Sequence, residues 1–158
     1  MGTVNPDSRL DHYFPAVDVV ARPAPGTFDH VGVSYFRSER VPNENTTPAG
    51  GFSPPQPGVQ QANSDYVLAG GTVPFTPFDF EVVSPVFPPP DGIQAGFNGD
   101  YSGLTIVDNV AHPIWSDTRN VDPFAPLDEV GHDEDVFTAK QSVPNGLAKP
   151  SSGKIGTD

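Results

Sequence analysis

Proline and glycine interrupt this chain so often that a long helix has no room to form. There are 20 Pro and 16 Gly among 158 residues, and a proline inside a helix removes a hydrogen bond and clashes with the preceding turn. No stretch of a dozen residues keeps an apolar repeat of 3.6 residues without a Pro, Gly or polar break. Even residues 128–140 contain Gly131 and end in the strand-favouring Val136-Phe137-Thr138. The sequence therefore predicts an all-β protein.

Short apolar runs separated by turn clusters predict the strands of antiparallel sheets. These runs lie near Tyr13–Val20, His30–Arg37, Asp65–Ala69, Phe78–Val83, Tyr101–Val107, Ala111–Ser116 and Glu134–Lys140. The connections over residues 42–61 and 87–97 are rich in Pro and too long for simple hairpins, so we expect extended surface loops there. We expect residues 1–9 to form a lead-in and the polar residues 142–158 to form a flexible tail.

The chain contains an internal repeat. Residues 14–20 lead through a turn into residues 31–37, and residues 100–107 lead through a turn into residues 111–117. The second strand of each unit carries an aromatic residue near its end, Tyr35 in the first unit and Trp115 in the second. A further strand follows in both units. Repeated units of three or four antiparallel strands are typical of β-propellers. We expect about two antiparallel propeller blades, in residues 10–86 and 95–141, which make a partial propeller.

Composition excludes several classes of partner and chemistry. The chain has 8 Lys and Arg against 20 Asp and Glu, a net charge of −12. This charge excludes a phosphate-binding surface for nucleic acid and disfavours anionic membrane surfaces. The absence of Cys rules out disulfides, zinc–thiolate sites and cysteine nucleophiles. No apolar stretch is long enough for membrane insertion, and the first residues lack the basic and apolar regions of a secretory signal.

Metal sites receive little support from the sequence. The four histidines show no ligand spacing. The acidic segment within residues 128–135 leaves two interpretations open, because carboxylate oxygens suit Ca²⁺ but a solvated loop needs no ion. Its spacing does not follow the EF-hand loop. We therefore expect no cofactor, with Ca²⁺ at this segment as the one alternative.

Three ordered motifs in the last third of the chain resemble a known family. They are Gly99-Asp100-Tyr101-Ser102-Gly103, then His112-Pro113-Ile114-Trp115-Ser116-Asp117-Thr118-Arg119, then Asp135-Val136-Phe137-Thr138-Ala139. Together they resemble the last blade of bacterial sialidase-like propellers, also described as BNR-repeat or exo-α-sialidase-like proteins. The first unit resembles a preceding blade more loosely. The resemblance implies a propeller that binds or hydrolyses glycans outside the cytoplasm or at the cell surface.

The resemblance nominates five ligand-binding residues: Asp100, Tyr101, Trp115, Asp117 and Arg119. Asp100 and Tyr101 begin the strand that lies nearest the central channel of a propeller, where ligands bind. Trp115 is either a sugar platform or a packing residue between blades. Asp117 and Arg119 either contact a ligand or form an ion pair at the end of a strand.

The resemblance does not extend to a complete active site. Sialidase-type cleavage requires three arginines around a carboxylate, a Tyr nucleophile activated by Glu, and an acid–base Asp. Only Arg119 lies in a matched motif. A closed propeller also needs at least four blades, so we expect this chain to require further blades or self-association. We therefore expect a glycan-binding part of a sialidase-like propeller that is not catalytic by itself. The alternatives are a scaffold module without chemistry and a truncated structural remnant.

Overall fold

The structure, a computed structural model, describes residues 4–5, 10–20, 29–38, 63–73, 77–88, 101–121, 123–124 and 132–145. The strands are β1 (Asp11–Val20), β2 (Asp29–Ser38), β3 (Ser64–Val73), β4 (Asp79–Val82), β5 (Gly103–Val107), β6 (Val110–Val121), β7 (His132–Thr138) and β8 (Gln141–Ser142). None of the described residues is helical, so no helix among them has the length and hydropathy to span a membrane. The prediction of an all-β protein is confirmed.

The strands form two antiparallel sheets of four strands each. The first sheet has the order β1-β2-β3-β4, and the second has the order β5-β6-β7 with β8 also paired to β6. Successive strands from β1 to β4 and from β5 to β7 are therefore neighbours in the sheets, as the predicted succession of short strands requires. Seven of these strands overlap the predicted runs, and the short strand β8 was not predicted.

Prolines interrupt the pairing at two places. Pro113 in β6 accepts a bond from the Ala139 backbone N–H at 3.3 Å but has no N–H to return. The register of β6 is the same before and after this point, so β7 and β8 are one strand broken opposite Pro113. In β1 the register with β2 shifts next to Pro15, and Phe14 adopts a positive φ of 49°. Each proline therefore disturbs the hydrogen bonding between two neighbouring strands locally, and the sheet continues on both sides of it.

The two sheets are stacked with their strands in the same direction and the same order. The Ser102 hydroxyl donates to the Phe14 carbonyl at 2.7 Å, and the Ile106 backbone N–H donates to Asp18 Oδ2 at 2.6 Å. Both contacts advance by four residues, so β1 and β5 run parallel to one another. At the opposite edge, Gln141 in β8 donates to Glu81 in β4 at 2.6 Å. Within the described residues, the second sheet therefore repeats the first three strand positions of the first sheet, displaced along the sheet normal.

The main core lies between the sheets. Phe36, Tyr66, Phe87 and Trp115 form one buried cluster, and the Tyr66 and Trp115 rings stack with their centroids 4.7 Å apart. A second cluster, which contains Leu68, Ala111 and Val143, also joins both sheets. The most extensive backbone contact between strands of different sheets is that of β1 with β5, and the large rings of Tyr66 and Trp115 lie between the sheets farther out. The packing continues to the buried Val143, within the residues assigned to the tail from composition.

Candidate functional site

Three of the residues nominated from the sequence form one cluster on β6. Successive residues of a strand point to opposite faces, so Trp115 and Asp117 share the face that is turned towards the first sheet. Trp115 packs there on Tyr66, and the Arg119 guanidinium carbon lies 3.9 Å from the centroid of the Phe137 ring. The spacing Trp-x-Asp-x-Arg therefore forms a continuous contact along the inner face of the second sheet.

Asp117 is the centre of this cluster. Its carboxylate is fully buried and accepts a bond from the Trp115 indole N–H at 2.8 Å. Arg119 Nε donates to Asp117 Oδ1 at 2.8 Å, and Arg119 Nη2 donates to Oδ2. The Arg119 backbone N–H also donates to Oδ1 at 3.2 Å. The two-pronged contact of a guanidinium with a carboxylate is strong and directional, so Asp117 satisfies the polar groups of its two neighbours.

A β-bulge adjusts the end of β6. Its pairing with β7 shifts by one residue between Asp117 and Asn120, so Thr118 and Arg119 together lie opposite Glu134. A bulge of this kind reorients side chains. Both Asp117 and Thr118 are consequently buried although they are adjacent in sequence, and the Thr118 hydroxyl donates to the Pro88 carbonyl.

A second arginine–aspartate pair lies in the first sheet and was not predicted. Arg37 and Asp65 are direct cross-strand partners in β2 and β3, and Arg37 Nε donates to Asp65 Oδ1 at 3.0 Å. The Arg37 guanidinium also lies 5.7 Å from the centroid of the Phe80 ring. The partners are 28 residues apart, so only the register of the two strands could have revealed the pair.

Tyr101 shares a hollow with Trp115 but not with Asp117 or Arg119. It precedes β5 and is 88% exposed. With Gly103, Ile114, Ser116, Val136 and parts of Ser102 and Trp115 it lines a shallow hollow of about 290 Å³ on the face of the second sheet that is turned away from the first. The backbone of β6 therefore lies between the Tyr101 side chain and the buried Asp117 carboxylate, and the two side chains do not form one site.

The remaining sequence predictions fall partly outside the described residues. Asp100 lies outside them, as do Asp128 and Glu129 of the acidic segment. Within the described part of that segment, Asp135 accepts a bond from the Asn120 amide at 2.7 Å and Glu134 accepts one from the Ser116 hydroxyl at 2.9 Å. No group of three His, Asp or Glu side chains suited to a metal ion occurs among the described residues.

Two buried tyrosines resist ionisation. Burial raises the pKa of Tyr35 to about 12, with Arg37 lowering it and Asp65 raising it to smaller extents. Burial also raises the pKa of Tyr66, whose hydroxyl donates to Ser34 Oγ at 3.0 Å. Both phenols are therefore protonated at neutral pH, which suits packing and does not suit a nucleophilic role.

Comparison with protein-family models, curated proteins and solved structures finds no match to this chain.

Proposed function

We propose that this chain contributes two consecutive blades to a sialidase-like β-propeller that binds carbohydrate. The observation that carries the proposal is the stacking of two antiparallel sheets in the same direction and order; within the described residues the first is four strands wide and the second three, because β7 and β8 share one position. Blades of a propeller are related in this way because each repeats its neighbour around an axis. In a sandwich related by a two-fold axis, either the strand order or the strand direction would be reversed.

The most extensive contact between the sheets supports the same interpretation. In a propeller the first strand of each blade lies nearest the axis, and the blades separate towards the rim. Here the first strands of the two sheets, β1 and β5, make the most extensive backbone contact between strands of different sheets. Gly32 in β2 allows this approach, because a Cβ atom there would lie 2.6 Å from Ile106 Cδ1. The β1 and β5 edge would accordingly face the propeller axis.

The proposed carbohydrate contact is Tyr101. It stands at the start of β5, on the axial edge, and is almost fully exposed. An aromatic ring offers an apolar face to a sugar and a hydroxyl for hydrogen bonding. Trp115 and Asp117 have packing roles between the sheets in this proposal, because both are buried and bonded to neighbours.

We propose that the chain alone does not hydrolyse sialosides. An arginine clamp needs guanidinium groups that are available to the substrate carboxylate. The two arginines within the described residues, Arg37 and Arg119, are both engaged by aspartates. The proposed carbohydrate targets lie outside the cytoplasm or at the cell surface, following the family resemblance.

A glycan array with the purified chain tests the proposal. We expect binding that Tyr101→Ala weakens at least about tenfold, a difference of about 1.4 kcal/mol. The matched control is Phe124→Ala, because Phe124 is 91% exposed, lies after β6 and does not line the hollow at Tyr101. Equal losses in both variants, or no binding by the wild type, would contradict a carbohydrate site at Tyr101.

Hydrolysis is tested separately with a fluorogenic sialoside. We expect no turnover by the isolated chain. Turnover by the folded wild type would show that a complete active site is present and would overturn the non-catalytic part of the proposal.

The second candidate function is a scaffold that holds a protein partner and performs no chemistry. The observation that favours it is the exposure of apolar side chains on both outward faces of the stack, which include Val17 on the first sheet and Val136 on the second. Exposed apolar faces of this kind mark sites of protein association.

A further inference from the structure

The outward faces of the two sheets are apolar and exposed. The outer face of the first sheet presents Val17, Val19, Phe80 and Val82, and the outer face of the second presents Val107, Ile114 and Val136. These seven side chains are between 36% and 70% exposed. We call the first group the front patch and the second group the back patch. Both are faces of regular strands, so each offers a flat surface suited to another sheet.

The back patch lies on the face of the second sheet that corresponds to the inner face of the first sheet, where the first sheet contacts Trp115. The two sheets can be aligned by matching Tyr35 with Trp115. In this alignment the cross-strand pair Ser116 and Val136 of the second sheet corresponds to the cross-strand pair Phe36 and Tyr66 of the first. In the first sheet this face receives the Trp115 ring. The smaller side chains of the second sheet leave the hollow beside Tyr101 at the same place.

The front patch lies on the face of the first sheet that corresponds to the Trp115 face of the second sheet. Tyr35 takes the place of Trp115 and points away from the second sheet, where it packs with Val67 beneath Phe78 and Val4. Since Tyr35 is covered, the exposed valines and Phe80 around it provide the contact surface. The front patch of one molecule and the back patch of another thus have the same relation as the two sheets within one chain.

We propose that a second copy of this chain covers the back patch with its front patch, so that the intramolecular stacking continues from molecule to molecule. The two surfaces are continuous with the interface already present between the sheets. The inference rests on the proposed blade arrangement, because it extends the same repeat.

Charge supports this pairing of faces. Glu134 is exposed beside the back patch and occupies the position of Ser64 in the first sheet, while Arg37 occupies the position of Asp117. Continued stacking therefore brings Glu134 of one copy to the level of Arg37 of the next. Arg37 is about one-fifth exposed and pairs with Asp65, so Glu134 of the neighbouring copy would approach the exposed edge of this pair. Opposite charges at matched positions fix the register of an interface.

The geometry favours a closed ring over an open fibre. A head-to-tail interface forms a ring when its rotation closes and a filament when it does not. The contact between strands of different sheets is most extensive at β1 and β5, so successive sheets fan outwards around that edge. Because closed propellers have roughly four to eight blades, we expect two, three or four copies.

Light scattering after size exclusion and sedimentation velocity test the inference over about a hundredfold range of concentration. The wild type is expected to reach a mass of two, three or four times 16.8 kDa. Val136→Glu in the back patch and Val82→Glu in the front patch are each expected to give monomers. The matched control is Phe124→Glu, which adds the same charge at an exposed apolar residue outside both patches.

Mixing the two variants provides the decisive observation. Each retains one intact patch, so the mixture is expected to form a 1:1 dimer and nothing larger. Circular dichroism of each variant confirms that its fold is retained. A folded wild type that stays monomeric, a mixture that stays monomeric, or dissociation by Phe124→Glu would overturn the inference. The association of copies is judged from the mass alone, and circular dichroism only checks folding. Failure to associate is therefore distinct from failure to bind glycans.

Discussion

Replacing Asp117 by Asn is expected to destabilise the fold by about 3 kcal/mol. The carboxylate is fully buried and accepts bonds from the Trp115 indole and from Arg119. All of its partners are donors, so the amide NH₂ of Asn would face another donor and one bond would be replaced by repulsion. Removing one partner of a buried ion pair costs about 3–5 kcal/mol. The lower end applies because the Arg119 side chain is 23% exposed and water can reach it.

Urea unfolding followed by the fluorescence of Trp115 measures this change, since Trp115 is the only Trp in the chain. Typical domains have about 5–15 kcal/mol of stability, so the shift in the unfolding midpoint is large. The matched control is Glu134→Gln, whose exposed side chain accepts one bond from Ser116, and we expect a change below about 0.5 kcal/mol. If Asp117→Asn also stays within about 0.5 kcal/mol of the wild type, the buried pair does not hold the sheet as described.

Three further outcomes follow from the packing. Stability is expected to fall as pH rises from about 10 to about 12, because the Tyr35 pKa is about 12 when folded and about 10 when unfolded; urea unfolding at several pH values measures the loss. Gly70→Ala is expected to destabilise by about 1–3 kcal/mol, since its Cβ would lie 2.1 Å from the Pro144 carbonyl oxygen. Gly32→Ala is expected to have a smaller effect in the same assay, because its Cβ meets the mobile end of the Ile106 side chain.

The all-β class could be predicted because proline and glycine exclude helices in every part of the chain. The strands from β1 to β7 could be located because apolar and β-branched runs alternate with turn residues. The short strand β8 could not, since Pro113 divides one long strand in two and the second part is only Gln141–Ser142. That division depends on which residue lies opposite the proline, and the register is not visible in the sequence.

Trp115, Asp117 and Arg119 were nominated through the resemblance of their motif, and their spacing on one strand places them together, but the sequence did not decide between ligand binding and packing. Residues at alternate positions of a strand share a face, whichever way that face is turned. The structure turns it towards the first sheet, where Trp115 packs on Tyr66. The same spacing on the opposite face would have exposed all three side chains. The Arg37–Asp65 pair was missed for a related reason, because the register between β2 and β3 determines it.

Proton–proton contacts in solution between β1 and β5 test the same-direction stacking most directly. The stacked arrangement predicts nuclear Overhauser effects between the Ile106 amide and Asp18, and between Ser102 and Phe14, in the wild-type chain. Contacts between Ile106 and Phe14, together with contacts between Ser102 and Asp18, would mean that the two strands run in opposite directions. That result would contradict the repeat relation between the sheets, and with it the propeller arrangement and the proposed assembly.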